Sequence, residues 1–271
     1  MRYKLILSDI DGTLIKDDLS VSEENKAAIA AFRARGGQFV ICTGRLIESV
    51  RGFIDGLSLN EQKIAAVGLQ GAVIKDSAGK LLCCRAMDAD TAFRIVRYAE
   101  ETGTYCHIYD SDRVYIPAHN EINRMYAYFT GAPLCEKGVL SAYIRQNRFA
   151  PIKVMLVIER GSEDRYFKAF GEMGLVGVKN IMSSDTYFEF VSDKAGKGEG
   201  LLAAAAYLGI DPAETIAIGD NMNDIEMIET AGLGVAVKNA IPALKNAADL
   251  VTERDNNESA VAEVIRRFCL D

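Results

Sequence analysis

The sequence predicts an α/β protein whose doubly wound, parallel-sheet core is interrupted by an inserted α+β domain. Short apolar strands alternate with helices at the start of the chain, and the same alternation returns in its last quarter. Between these two parts, strands come in pairs with helices between the pairs. That second pattern is typical of an antiparallel α+β unit rather than of a continued parallel sheet.

The amino-terminal part opens with a nearly continuous apolar strand, which is the pattern of a strand buried on both faces of a parallel sheet. Ser20 and Glu23 have the spacing of a capping box, so Ser20 is the predicted N-cap of the first helix. Gly36 then ends that helix. The predicted elements are a strand over residues 3–8, a helix that runs from Ser20 to about residue 35, a strand over residues 38–43 and a helix over residues 46–54.

The last quarter of the chain repeats this alternation. Gly209 follows the first of its helices, and Pro242 opens a later one, a position where proline is tolerated. The predicted elements are a helix over residues 197–208, a strand over 215–219, a helix over 224–231, a strand over 233–237, a helix opened by Pro242 and a closing helix over 258–268.

The middle of the chain supplies the inserted domain. We expect residues 1–84 and 188–271 to form the core and residues 85–187 to form the insertion. Its predicted elements are a helix over residues 90–102, strands over 105–110 and 114–116, a helix over 121–129, a strand over 152–158, a helix over 163–173 and strands over 176–182 and 187–191.

Bulk properties exclude several classes of protein. The 271 residues carry a net charge of −7, which argues against nucleic-acid binding because phosphate backbones demand a basic surface. No segment reaches the ~20 apolar residues of a membrane span, and the apolar run after the amino terminus is too short for a signal peptide. The six cysteines include no CxxC pair, so we expect reduced thiols and a cytoplasmic protein.

Acidic side chains follow two of the predicted strands. Asp9 and Asp11 come directly after the first strand, and residues i and i+2 of an extended chain point the same way. Asp220, Asn223 and Asp224 follow a second strand. Open α/β sheets bind ligands at the carboxyl ends of their strands. Together these oxygen-rich side chains predict a site for Mg²⁺.

Two further elements suit an anion. Thr43 and Gly44 end a strand just before a predicted helix, where a hydroxyl, a backbone amide and a helix N-terminus make an anion cradle. Lys197 opens a helix, although a cation in a first turn opposes the helix dipole. Taken alone, such a lysine is more often a surface residue, but its position is also that of a cation that serves another group.

The combined set of side chains suits phosphoryl transfer to an aspartate. The parts that competing chemistries need are missing from the sequence: it contains no GxSxG elbow, no GxxxxGK[ST] loop and no GxGxxG fingerprint. Only two histidines occur, and both lie in the inserted segment.

Taken in order, these elements resemble the four motifs of the haloacid dehalogenase-like phosphatases, specifically the Cof-type group with a type IIB cap. DxDGT at the start and GDxxND near residue 220 are the specific motifs, while Thr43-Gly44-Arg45 and the lone Lys197 are looser. The long segment between Thr43 and Lys197 matches a large cap. The resemblance implies a Rossmann-like core and a cap that selects the substrate.

The resemblance also implies roles for the motif residues. Asp9 is the implied nucleophile, and Asp11 is the implied general acid that later acts as general base. The implied phosphate-binding residues are Thr43, Gly44, Lys197 and Asn223. The implied metal-binding residues are Asp9, Asp11 (through its backbone carbonyl), Asp220 and Asp224.

The chain departs from the group after the third core strand, where Gln70-Gly71-Ala72 stands in place of the usual Asn-Gly-Ala. This departure bears on specificity rather than on chemistry. The expected partner is a small phosphorylated metabolite, with no nucleic acid and no membrane, and the chain is expected to be a monomer or a homodimer. A phosphomutase and a noncatalytic binding module stay open as alternatives. His107, Tyr109, Tyr115 and Lys153 are candidates for contacting the leaving group.

Overall fold

The computed structural model describes residues 2–270, so the predicted core ends at Met1 and Asp271 lie outside the described residues. The strands are β1 (Leu5–Ser8), β2 (Gln38–Cys42), β3 (Ile64–Gly68), β4 (Val73–Asp76), β5 (Leu81–Cys84), β6 (Tyr105–Tyr109), β7 (Val114–Ile116), β8 (Leu134–Glu136), β9 (Lys153–Val157), β10 (Val178–Ser184), β11 (Tyr187–Ser192), β12 (Thr215–Gly219), β13 (Leu233–Ala236) and β14 (Leu250–Val251). The α-helices are α1 (Glu23–Ala34), α2 (Arg51–Gly56), α3 (Ala89–Glu101), α4 (Glu121–Thr130), α5 (Leu140–Asn147), α6 (Glu163–Glu172), α7 (Lys197–Leu208), α8 (Ile225–Thr230), α9 (Pro242–Ala247) and α10 (Ala260–Ile265).

The chain divides into two compact units. The first comprises Met1–Gly44, Arg51–Cys83 and Gly196–Asp271, and the second comprises Arg45–Val50 and Cys84–Ala195. One expected boundary, between residues 187 and 188, falls inside β11, whereas the boundary between the units lies at 195/196. β11 belongs with the second unit because it pairs with β9 and β10.

The first unit is built on a sheet with the strand order β14-β13-β12-β1-β2-β3-β4-β5. The pairs from β14 to β3 are parallel, and β4 returns antiparallel to β3. All four residues of β1 and all five of β12 are buried, as their apolar sequences require. Helix α1 packs with α10, and α7 packs with α8. The predicted fold class, a parallel-sheet core with helices, is confirmed.

Two helix starts differ from the sequence prediction. The N-cap of α1 is Ser22, whose side chain accepts a hydrogen bond from the backbone N–H of Asn25, so the prediction of Ser20 was wrong. The Asp18 carboxylate accepts from both the N–H and the hydroxyl of Ser20, and this local turn leaves the next serine to cap the helix. The helix expected from residue 46 begins at Arg51, after a 3₁₀ turn at Glu48–Val50.

The second unit is built on a sheet with the strand order β10-β11-β9-β6-β7-β8. Neighbouring strands of this sheet are antiparallel except β7 and β8, which are parallel. One face joins an apolar core with α3, α5 and α6, while the alternate residues of β6, β9 and β11 carry polar and aromatic groups on the other face. β8 and α5 were not predicted. Within residues 2–270 no helix is long and apolar enough to cross a membrane.

Candidate active site

The carboxyl ends of three neighbouring strands bring the predicted acidic residues together. β1 lies between β2 and β12, with Ser8 opposite Ile41 on one side and Ile218 on the other. Each of the three strands therefore ends at the same edge of the sheet. Asp9 continues the ladder, since its backbone N–H donates to the Ile218 carbonyl at 2.9 Å. This register places Asp9 beside Thr43 and Asp220, the residues that follow β2 and β12.

Three aspartates form an acidic cluster at this edge. One carboxylate oxygen from each of Asp9, Asp220 and Asp224 lies within 4.8 Å of the others. Asp9 and Asp224 are buried, and Asp220 is partly buried. Asp11, by contrast, is exposed and does not belong to this group. The donor set is entirely oxygen, which fits a hard cation such as Mg²⁺.

Lys197 inserts its ammonium group between two of these carboxylates. Its Nζ lies 2.5 Å from Asp9 Oδ1 and 2.5 Å from Asp224 Oδ1, and its side chain is fully buried. Lys197 is the first residue of α7, so the structure explains a cation that the helix dipole alone disfavours. The ion pairs with Asp9 and Asp224 fix its position.

The electrostatics of the cluster show an excess of negative charge. Burial raises the pKa of the Asp9 carboxyl well above its ordinary value; Lys197 opposes the rise and the charge of Asp224 adds to it. Burial and then Asp224 also raise the pKa of Asp220 to about 6. Burial lowers the pKa of Lys197, but the carboxylates of Asp224 and Asp9 outweigh this effect and raise it. One lysine thus faces three carboxylates, which leaves charge for a further cation to balance.

Asp224 holds the second acidic loop in place. Its Oδ2 accepts hydrogen bonds from the backbone N–H groups of Asp220 and Asn221, both at 3.0 Å, while its Oδ1 bonds Lys197. Gly219 leaves room for this arrangement, because a Cβ there would lie 2.5 Å from that of Asp224. Both oxygens of Asp224 are therefore engaged by the protein itself.

The turn after β1 supports Asp220. Gly12 adopts a φ of +76°, and a Cβ at this position would lie 2.7 Å from Asp220 Oδ2. The hydroxyl of Thr13 donates to Asp220 Oδ1 at 2.9 Å. The amide of Asn239 donates to the Gly12 carbonyl at 2.7 Å. The sequence analysis assigned no function to Thr13 or Asn239, although Thr13 belongs to the DxDGT motif.

Thr43 and Gly44 lie at the same edge, as predicted. Thr43 is buried, and its backbone N–H donates to the Val67 carbonyl of β3 at 2.9 Å. The expected helix N-terminus directly after Gly44 is wrong, because α2 begins only at Arg51. The loop after β2 therefore offers the Thr43 hydroxyl and backbone amides at this edge rather than the start of an α-helix.

The remaining predicted residue of this edge, Asn223, is partly buried and donates its amide Nδ2 to Gln70 Oε1 at 3.1 Å. All eight predicted site residues belong to the first unit. Lys197, Asp9, Asp220 and Asp224 are drawn together by direct contacts, and Asn223 reaches the loop after β3 through Gln70.

The candidates in the second unit already have partners within it. His107 Nε2 and the Tyr109 hydroxyl are 2.8 Å apart, and Lys153 Nζ lies 3.0 Å from Glu189 Oε1. His107, Tyr109, Lys153 and Glu189 are all buried, on the polar face of the sheet. Tyr115 belongs to the apolar core on the other face and donates its hydroxyl to Asp110 Oδ2 at 2.6 Å.

The burial of His107 predicts a pH-dependent stability. Burial, with Lys153 adding to it, lowers the pKa of His107 from 6.5 to about 3. Between these values the unfolded chain binds a proton that the folded chain does not, so stability is complete above pH 6.5 and falls as the pH decreases. Between pH 7 and pH 5 the unfolding free energy of the wild type should fall by about 2 kcal/mol more than that of His107→Gln, as measured by urea unfolding. The matched control is His119→Gln, which replaces the exposed histidine of the same unit.

Comparison with known proteins gives the class that this fold and site define. A family model described as haloacid dehalogenase-like hydrolase matches residues 6–265. The chain therefore belongs to the haloacid dehalogenase-like hydrolases, and the resemblance to the Cof-type group is confirmed.

Individual relatives cover nearly the whole chain. YwpJ of Bacillus subtilis, named a phosphatase, is 32% identical over 287 residues, covering 98% of this chain and 99% of YwpJ. YwtE of the same organism, named a 5-amino-6-(5-phospho-D-ribitylamino)uracil phosphatase, is 27% identical over 97% of this chain and 96% of YwtE. A haloacid dehalogenase-like hydrolase from Bacteroides thetaiotaomicron has the same fold, with a TM-score of 0.86, 24% identity and coverage of 98% of this chain and 99% of that one.

Proposed function

We propose that this protein is a Mg²⁺-dependent phosphatase that hydrolyses small phosphorylated metabolites through an aspartyl-phosphate at Asp9. The observation that carries the proposal is the contact of the buried Asp9 carboxylate with Lys197, in a cluster with Asp220 and Asp224. This arrangement combines a nucleophile, a cation for the phosphate and oxygen ligands for a metal. The relatives named as phosphatases support the same reaction class.

The metal would be held chiefly by the carboxylates of Asp9 and Asp220 and by the backbone carbonyl of Asp11. Asp224 supports the metal site, because its two oxygens already bond Lys197 and the backbone of its own loop. Thr13 and Gly12 keep Asp220 in place beside Asp9. When bound, Mg²⁺ lowers the repulsion between an anionic nucleophile and an anionic phosphate and stabilises the charge of the transition state.

The residues of the chain then carry out two displacements. A carboxylate oxygen of Asp9 attacks phosphorus, the bond from phosphorus to the leaving oxygen breaks, and Asp11 donates a proton to that oxygen. Water then attacks the phosphorus of the aspartyl-phosphate, Asp11 takes a proton from this water, and the bond to Asp9 breaks to release inorganic phosphate.

Four residues would bind the phosphate during both steps. The Thr43 hydroxyl, the Gly44 amide N–H and the Asn223 amide supply neutral donors, and Lys197 supplies a charge. Lys197 is already desolvated and held by Asp9 and Asp224, so little reorganisation accompanies the reaction.

The reaction class is tested with p-nitrophenyl phosphate, which needs no specific leaving-group contacts. We expect phosphate release in Mg²⁺ that stops in EDTA and returns when Mg²⁺ is added in excess. A panel of phosphorylated sugars, phosphorylated acids and 5-amino-6-(5-phospho-D-ribitylamino)uracil would then define the substrate. Transfer of the phosphoryl group to another position of the substrate, without release of phosphate, would indicate a phosphomutase. Inactivity towards every compound would count against the proposal.

The metal assignment makes a separate prediction. Asp220→Asn keeps the shape of the side chain but removes the charge, so the Mg²⁺ concentration for half-maximal activity should rise at least about tenfold. The matched control is Asp249→Asn, since Asp249 is an exposed aspartate of the same unit that bonds the backbone N–H of Gly234. The control should keep the wild-type Mg²⁺ titration. An unchanged titration in Asp220→Asn would remove Asp220 from the metal site.

A further inference from the structure

The loop after β3 has an unusual backbone conformation. Leu69, Gln70 and Gly71 have successive positive φ angles of 49°, 57° and 79°. Glycine adopts this left-handed region readily and asparagine is tolerated there more often than most residues, whereas glutamine is not favoured. Gln70 is nevertheless fully buried at this position. A residue kept against its backbone preference indicates that its side chain is needed.

The backbone of Gln70 connects two parts of the proposed phosphate site. Its N–H donates to the Thr43 carbonyl at 3.1 Å, and its carbonyl accepts from the Gly196 N–H at 2.8 Å. Gly196 directly precedes Lys197. The close packing of this loop is also visible at Gly71, where a Cβ would lie 1.9 Å from the Gly196 carbonyl oxygen. Gln70 therefore lies against both the strand end that carries Thr43 and the start of α7.

The side chain of Gln70 reaches the other two phosphate-site residues. Its Oε1 accepts from Asn223 Nδ2 at 3.1 Å. Its Nε2 lies over Gly44, since a Cβ added at Gly44 would come within 2.5 Å of that nitrogen. The absence of a Cβ at Gly44 is thus what gives the Gln70 amide its space.

The geometry points to Gln70 as a positioning residue that sets the orientation of the Asn223 amide, an inference that rests on the proposed function. A side-chain amide has a donor end and an acceptor end, but a phosphate oxygen attracts only the donor end. With Gln70 Oε1 as its acceptor, Asn223 presents Nδ2 on this side, because rotating the Asn223 amide alone would place two oxygens against each other. The NH₂ group carries a second N–H, and that N–H is the one available to phosphate.

The length of the side chain explains the departure from the Asn-Gly-Ala pattern. An asparagine at position 70 would suit the backbone better, but it would end about 1.5 Å short, the length of one carbon–carbon bond. The hydrogen bond to Asn223 needs the longer side chain. Gln70 therefore acts on phosphate through Asn223, and the Gly71 and Ala72 that follow keep the loop compact.

The test is a double-mutant cycle with inorganic phosphate as the probe. The variants are Gln70→Met, which keeps the length of the side chain but removes the amide oxygen and leaves only the weak acceptor of a thioether, Asn223→Ala and the double variant. In saturating Mg²⁺ we expect Gln70→Met to weaken phosphate binding, measured by calorimetry, by roughly 3- to 10-fold. The KM for p-nitrophenyl phosphate should rise by the same factor with little change in kcat, because ground-state and transition-state binding are lost alike. In the Asn223→Ala background the same change should have less than about a twofold effect.

Two further variants separate positioning from folding. Gln70→Asn suits the backbone and should fold even if Gln70→Met does not, and it should give the same loss of phosphate affinity. Gln62 is a second buried glutamine at the opposite end of β3, where its amide donates to the Ile64 carbonyl at 2.6 Å. Gln62→Met should lower the thermal stability but leave the phosphate dissociation constant unchanged.

Each outcome bears on the inference. Additive effects of Gln70→Met and Asn223→Ala, or unchanged phosphate affinity in both Gln70 variants, would overturn it. A wild type that binds phosphate but releases none from substrates would remove the proposed hydrolase activity, while the cycle could still be read in the dissociation constants. A wild type that binds no phosphate in Mg²⁺ would overturn both proposals.

Discussion

Replacing Asp9 with asparagine is expected to abolish turnover, lowering kcat by roughly 10,000-fold or more, because the amide cannot form the aspartyl-phosphate. The same change should leave the metal-free protein at least as stable as the wild type. Burial raises the pKa of the Asp9 carboxyl, and the charges of Asp224 and Asp220 add to this rise. The ionised form of Asp9 therefore lowers the stability of the folded protein. A neutral amide of the same shape avoids that cost.

Two measurements separate these effects. Phosphate release from p-nitrophenyl phosphate in saturating Mg²⁺ reports the chemistry, and thermal unfolding in EDTA reports the stability. Lys197 keeps its second ion pair, with Asp224, so its own burial stays compensated in the variant. The variant's mass must be confirmed, since deamidation would restore the wild type. Residual turnover above about 1% of wild type by intact Asp9→Asn would contradict the assignment of Asp9 as nucleophile.

The sequence was sufficient to predict which site residues lie at the carboxyl ends of the core strands. Asp9, Thr43 and Asp220 each follow an apolar strand, and parallel strands in one sheet present their carboxyl ends at one edge. The position of Lys197 in a first helical turn was informative for a different reason. A charge that opposes the helix dipole needs a partner elsewhere, and the structure supplies it in Asp9 and Asp224.

Contacts between distant residues could not be predicted in the same way. Thr13 bonds Asp220 across 207 positions of sequence, and Asn223 bonds Gln70 across 153. No local pattern encodes such pairs, because they depend on how two loops meet. The predicted start of α1 was wrong because of a local contact. Ser20 and Ser22 are both good N-caps, and the choice between them depends on the side chain of Asp18.

Replacing Lys197 with methionine should have the largest effect on stability. Its ammonium group contacts two buried carboxylates, so its removal leaves their charges without a counter-ion in the protein's own side chains at this site. Breaking a buried ion pair typically costs about 3–5 kcal/mol. We expect a loss of this order in the unfolding free energy at pH 8 in EDTA. We also expect a roughly 100- to 1,000-fold loss of kcat, because the variant lacks the positive charge that stabilises the phosphate during its transfer.

The loss of stability should depend on pH. Without Lys197, whose charge opposes the rise in the pKa of Asp9, that pKa moves still further above its unfolded value. The folded variant then binds more protons than the unfolded chain, so its stability falls as the pH rises. The difference from wild type should therefore be smaller at pH 5 than at pH 8.

Magnesium distinguishes lost charge compensation from simple loss of packing. A divalent cation between Asp9 and Asp220 would replace part of the missing charge, so Mg²⁺ should raise the melting temperature of Lys197→Met more than that of the wild type. Lys26→Met is the control, because Lys26 makes an exposed ion pair with Glu23 that is worth less than about 1 kcal/mol. Equal Mg²⁺ responses in all three proteins, with equal stability at pH 8, would show that Lys197 does not neutralise the acidic cluster. A larger response confined to Lys197→Met would instead tie the lysine and the metal to one shared electrostatic function.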